Sequence, residues 1–309
     1  MLRLNEKLMY IKCSTYEYLV KKGSISNYSY NIIDEKKLGV LETLFHHETY
    51  PIHKEQLLNR LGKNMSGDQK NELESIIEEF LELDILVEEK EHLSQKAAIL
   101  TKSHYTEIIN ERFKEMGFSC CFILSRDEVN PSGTTPVENV LFVDDYNDES
   151  LEKLLSGFDI IIVIWDHYSP SLFRKINSLC LSIRKPLAIS YFDGDEGIFV
   201  PLLNMAESAC FNDFEILRES SFYNLLDYQT MKEYLIKNPI KNSCVGKIYF
   251  ETLINHTAIL LNRMLSYKSL NAFAYSFDFE RMVLSKTRLL KFPKCPACQG
   301  DKNIKHPFI

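Results

Sequence analysis

Asp159-Ile160-Ile161-Ile162-Val163-Ile164-Trp165 is the stretch on which the fold turns. Its β-branched residues follow one another without polar alternation, so both faces of the segment must be buried. That occurs in a central parallel strand with helices on either side of the sheet. Reading outward, Ser169–Arg184 predicts a helix, with Ser169 as its cap and Pro170 in its first turn. Leu187–Phe192 predicts the next strand. Upstream, Ile108–Met116 reads as a helix ended by Gly117, Phe118–Leu124 as an apolar strand, Val140–Val143 as a strand closing on Asp144-Asp145, and Ser150–Leu155 as a helix. This alternation predicts an α/β domain with a parallel sheet of Rossmann type.

The first ~90 residues have a different pattern and the size of a small domain. Met9–Val20 reads as extended chain, Lys21-Lys22-Gly23 as a turn, and Ser26–Ile33, rich in Tyr and Ile, as a strand. Asp34 is expected to cap a helix carrying Leu38, Leu41, Leu44 and Phe45. Lys54–Leu61 predicts a short helix ended by Gly62, and Asp68 is expected to cap a third. In that helix Leu73, Ile76, Ile77, Phe80 and Leu81 share one stripe. Ile85–Val87 predicts a short strand. Strands followed by three short helices outline a winged-helix-like module, giving domains at 1–92 and 93–309.

Composition narrows the function. The 309 residues carry 36 basic and 43 acidic side chains, a net charge of −7, with no dense Lys/Arg run. Nucleic acid is therefore not an expected partner, because displacing phosphate counterions needs clustered cations. The N-terminus lacks the apolar core and small-residue cleavage site of a secretory signal, and the strongest apolar run is too short to span a bilayer. A cytoplasmic protein with reduced thiols and no membrane contact is expected.

A nucleotide-binding sheet of this kind cradles phosphate in a Gly-rich turn after its first strand. Taking Phe118–Leu124 as that strand, the turn is Ser125–Gly133, with one Gly and the carboxylates of Asp127 and Glu128. No G-x-G-x-x-G is present, so no nucleotide is expected. Cys295-Pro-Ala-Cys298 places two thiols at knuckle spacing for a tetrahedral Zn²⁺. Cys210 and Asp213 repeat that spacing. A Cys₃Asp site, or three Cys with a water or His such as His306, is open, as are plain free thiols. Asp166-His167 follows the central strand without a nucleophile at defined spacing. His46-His47 fits a helix C-terminus, and Asp193-Gly-Asp-Glu196 forms an acidic loop without EF-hand spacing.

The strand-and-three-helix N-terminus, Asp159–Trp165, Lys185-Pro186, Pro201–Cys210 and Cys295-Pro-Ala-Cys298 together resemble the ThiF-like (ubiquitin-activating-enzyme-like) partner proteins of thiazole- and oxazole-modified peptide pathways. The resemblance implies a winged-helix-like peptide clamp, the RiPP recognition element, fused to a ThiF-like Rossmann-type domain. It implies a non-catalytic protein that binds a precursor's leader peptide and presents the core to a separate ATP-dependent YcaO cyclodehydratase forming azolines, as in thiopeptide pathways of the micrococcin type. A flavin-dependent azoline dehydrogenase is a further expected partner, and a homodimer an assembly to test. Structural zinc on Cys210, Asp213, Cys295 and Cys298 is implied too, although the family carries a second C-x-x-C where Asp213 stands. Leader addition to the edge of Ser26–Ile33 would place Tyr28, Tyr30 and Ile32 beside the peptide, with Glu74, Glu78 and Leu81 opposite. The competing expectations are an ATP-using adenylating enzyme and a winged-helix transcription regulator. The acidic polar face of Asp68–Leu83 argues against the regulator.

Overall fold

The computed structural model describes residues 1–88, 95–124, 139–142, 146–205, 207–238, 240, 245–266 and 273–299. The chain divides into two compact units, Met1–Leu93 and Ser94–Ile309.

In the first unit, β1 (Leu2–Leu4) pairs antiparallel with β5 (Leu86–Glu88). A separate three-stranded antiparallel sheet has the order β2-β3-β4, formed by Met9–Ser14, Glu17–Lys21 and Ser29–Ile33. The extended reading of Met9–Val20 is thus broken into a hairpin after Ser14. Two expected caps differ. The Asp34 carboxylate accepts from the backbone N–H of Leu38 and Gly39, at 2.9 and 2.7 Å, which closes a local turn. The helix it was expected to start shrinks to α1 (Leu41–Leu44). α2 is Lys54–Leu61. α3 (Gly67–Glu82) is capped by Ser66 rather than Asp68, with Gln69 Oε1 accepting from the Ser66 N–H at 2.9 Å. This capping box stabilises the helix start, and Asp68 sits in the first turn. Leu73, Ile77 and Phe80 of α3 pack with Val20, Leu44 and Leu57 in the core.

The second unit is built on one eight-stranded sheet. Its elements in chain order are β6 (Gln95–Leu100), α4 (Thr106–Glu115), β7 (Phe118–Leu124), β8 (Val140–Phe142), α5 (Asp148–Ser156), β9 (Ile160–Trp165), α6 (Pro170–Ser182) and β10 (Leu187–Asp193). There follow β11 (Glu196–Leu202), α7 (Phe211–Ser221), α8 (Leu225–Lys237), α9 (Lys247–Ser266), β12 (Phe273–Asp278) and β13 (Val283–Arg288). Five strands are parallel in the order β8-β7-β6-β9-β10, and β11, β12 and β13 extend the β10 side antiparallel. Counted along the chain, the parallel part runs third, second, first, fourth, fifth, the doubly wound order. β9 sits near its middle with Ile160–Ile164 fully buried. One core lies on each face, Val163, Ile189 and Phe173 in one and Ile162, Ile164 and Phe250 in the other.

The expected parallel sheet is present, extended on one side by three antiparallel strands. β6, not β7, is the first parallel strand, so the turn to test for phosphate binding is Thr101-Lys102-Ser103-His104-Tyr105. The stretches Ser125–Gly133 and Asp144-Asp145 lie outside the described residues. Among the described residues no helix is long and apolar enough to cross a membrane.

Candidate peptide-binding edge and metal centre

β4 pairs only with β3, so its far edge is open among the described residues. Lys22 N–H donates to the Tyr28 carbonyl and Asp34 N–H to the Tyr16 carbonyl. With Val20 opposite Tyr30 and Tyr18 opposite Ile32, the backbone groups of Tyr30 and Ile32 face β3. Antiparallel alternation then turns those of Ser29, Asn31 and Ile33 outward. Tyr28 lies just before the strand; its hydroxyl donates to the Leu83 carbonyl at the end of α3. Tyr28 and Tyr30 meet edge to face at 4.8 Å, and Ile32 packs on the core.

The structure places the helix residues differently from their expected positions. Lys54 of α2 pairs with Glu74 and Glu78 at 3.5 and 3.0 Å, so both line the α2 side of α3. The flank beside β4 is fixed by Tyr28 on Leu83 and by Lys36, just past β4, on Glu72 at 2.6 Å. Helical spacing puts Ile76 and Glu79 on that flank with Glu72 and Leu83, and Leu81 on the far side. The hydrophobic stripe of α3 sets which face is buried, but both flanks read equally acidic. Only the tertiary ties distinguish them.

At the other candidate centre, Cys210, Asp213, Cys295 and Cys298 are brought together, their ligand atoms all within 4.8 Å of one another. Cys210 caps α7, and Asp213 Oδ2 accepts its backbone N–H at 2.8 Å. Asp213 Oδ1 accepts from the Phe292 N–H at 2.9 Å, tying the helix to the segment that carries the knuckle. The Cys210 and Cys295 sulfurs are 3.6 Å apart, and the Cys298 sulfur lies 3.3 Å from Asp213 Oδ2. Zn–S bonds of about 2.3 Å in a tetrahedron require sulfurs about 3.8 Å apart, so the donor set fits a tetrahedral ion. Burial pushes the Cys210 thiol up to about 12, opposed by a hydrogen bond from the Asp213 backbone and helped by the Asp213 charge and by Cys295. His306 and Gly300 lie outside the described residues.

A third constellation stands where the strand order reverses, between β6 and β9. Lys102, after β6, pairs with Asp166, after β9, Nζ to Oδ1 3.0 Å, both side chains being almost fully buried. His167 Nδ1 lies 2.8 Å from the same Asp166 oxygen, and the Trp165 indole N–H donates to His167 Nε2 at 3.3 Å. Burial pushes the Asp166 carboxyl up, but His167 and Lys102 together outweigh it and hold it below its ordinary value. The turn between β6 and α4 contains no Gly. A backbone cradle for phosphate needs close approach of the chain. A buried lysine already neutralised by Asp166 does not supply one.

No protein-family model and no curated protein sequence matches the chain. Solved structures do. The heterocyclase TruD matches with 12% identity and a TM-score of 0.65, over 96% of this chain and 42% of that one. A heterocyclase in complex with substrate and cofactor matches with 12% identity and a TM-score of 0.66, over 99% of this chain and 40% of that one. E. coli MccB matches with 13% identity and a TM-score of 0.53, over 99% of both chains. The chain therefore spans about two fifths of the two heterocyclases, and at these identities the likeness is one of fold.

Proposed function

We propose that the chain is a non-catalytic recognition protein for a precursor peptide. It would hold the leader and present the core to a separate ATP-dependent YcaO cyclodehydratase that closes azolines. The observation that carries this reading is the open edge of β4, flanked by α3. An extended leader gains backbone hydrogen bonds from Ser29, Asn31 and Ile33 without demanding a sequence. Apolar leader side chains would rest on Tyr28, Tyr30 and Ile76. The fold shared with the heterocyclases is consistent with that setting. Zinc on Cys210, Asp213, Cys295 and Cys298 would act structurally, clamping the start of α7 to residues 295–298.

E. coli MccB, which shares the fold, has been solved with AMPCPP and MccA, and a nucleotide-using, adenylating role is the alternative to test. The Gly-free turn after β6 and the Lys102–Asp166 pair speak against it. Fluorescence polarisation of labelled leader, with and without ATP, decides between the two. Tight binding that ignores ATP supports recognition without chemistry; binding only with nucleotide overturns it.

A further inference from the structure

At the carboxyl ends of β9 and β10 lies a cavity of about 880 Å³. It is walled by the turn after β9, the β10–β11 turn, α8, the start of α9 and the β12–β13 turn. Ligands of open α/β sheets bind at this end. The lining chemistry is unusual for such a crevice. Phe192, Tyr249 and Phe279 form an aromatic wall, with Phe279 ring centroids 5.3 Å from each of the other two. Four carboxylates line the cavity, and Lys and Arg are absent from its described lining. Asp166 is neutralised by Lys102 at 3.0 Å and Asp193 by Arg218 at 3.2 Å. Asp195 and Glu280 are exposed, and among the described residues their side chains form no ion pair.

We infer that this cavity binds a cationic group on an apolar stem, an arginine or lysine side chain carried by a peptide. An aromatic wall attracts a cation over its ring faces, the unbalanced carboxylates complete the recognition, and the same carboxylates repel phosphate. The apolar mouth fits a methylene stem: Tyr249, Met231 and Ile240 are 50%, 40% and 41% exposed. Guanidinium suits the site better than ammonium because it stacks on rings while reaching carboxylates in its plane.

Trp165 is the chain's single tryptophan and hydrogen-bonds His167, whose ring lines the cavity. Its emission therefore reports occupancy without a label. The full-length protein is titrated with N-acetyl-arginine methylamide, its neutral citrulline counterpart, agmatine and ATP. The expected result is a saturable emission change with the arginine derivative, at least tenfold weaker binding of citrulline, and no response to ATP. An Asp195→Asn/Glu280→Gln variant, altered only at exposed positions and checked for fold by circular dichroism, is expected to bind the arginine derivative about tenfold less tightly. No saturable response, equal binding of citrulline, or a response to ATP alone overturns the assignment. Tighter binding of agmatine than of the arginine derivative overturns the peptide source. These probes do not engage the β4 edge, so failure here and failure of leader recognition are separate results.

Discussion

Lys102 and Asp166 face each other across the reversal point of the parallel sheet, 3.0 Å apart and buried. Their pairing occupies the place where a nucleotide-binding relative of this fold would present a flexible backbone turn. Breaking such a pair from one side leaves a charge in a low-dielectric site. Lys102→Met is therefore expected to cost about 3 kcal/mol in urea unfolding. The double change Lys102→Met/Asp166→Leu is expected to recover much of that loss. A single variant as stable as the parent would show that water reaches the pair.

Acid unfolding carries a signature of the same carboxylate. The Asp166 carboxyl is held below its ordinary value in the folded chain because His167 and Lys102 outweigh its burial. A depressed folded value stabilises the protein above the unfolded value of about 3.9. That contribution disappears as pH falls through the folded value. The stability gap between the parent and Asp166→Asn is thus expected to be full at neutral pH and to narrow below about pH 4. A pH-independent gap would mean that Asn disturbs packing rather than charge.

How far the sequence reveals these features depends on the residue. Ile160–Ile164 could be read directly, since a run buried on both faces has only one comfortable home. Gln95–Leu100 was not, because its polar start and Ala97-Ala98 carry little strand preference. The two alanines are buried against neighbouring strands all the same. With β6 hidden in this way, the expected phosphate turn falls one strand downstream. α9 is legible in the sequence: Phe250, Leu253, Ile254, Thr257, Ala258, Leu261 and Met264, all buried, recur at helical spacing. The exposed, polar β13 leaves no such signal. At the metal centre the spacing of Cys295 and Cys298 marked the knuckle. Nothing local could show that Asp213 also binds the Phe292 amide, a contact across 79 residues.

Metal content tests the four-residue cluster. One zinc per chain is expected by elemental analysis, and Cys295→Ser is expected to lose it and lower Tm. Because burial keeps the metal-free Cys210 thiol protonated, up to about 12, zinc must displace protons. Its uptake is expected to weaken as pH falls. Asp213→Asn removes the ligand charge and keeps one backbone acceptor, toward the Phe292 N–H, while giving up the other, toward the Cys210 N–H. Full zinc content in Asp213→Asn would show that the Asp213 charge is not needed as a ligand.

The outward edge of β4 gives the sharpest test of peptide recognition. Asn31 turns its backbone N–H away from β3, so Asn31→Pro removes a donor that only an added strand would use. Tyr30→Pro instead removes a donor facing β3 and disrupts the sheet itself. Leader affinity is expected to fall at least tenfold in Asn31→Pro, with thermal unfolding close to that of the parent. The side chain is controlled by Asn31→Ala, which loses the contact to Glu17 at 2.8 Å and keeps the backbone donor. If Asn31→Pro folds and binds leader as the parent does, the peptide does not lie along this edge.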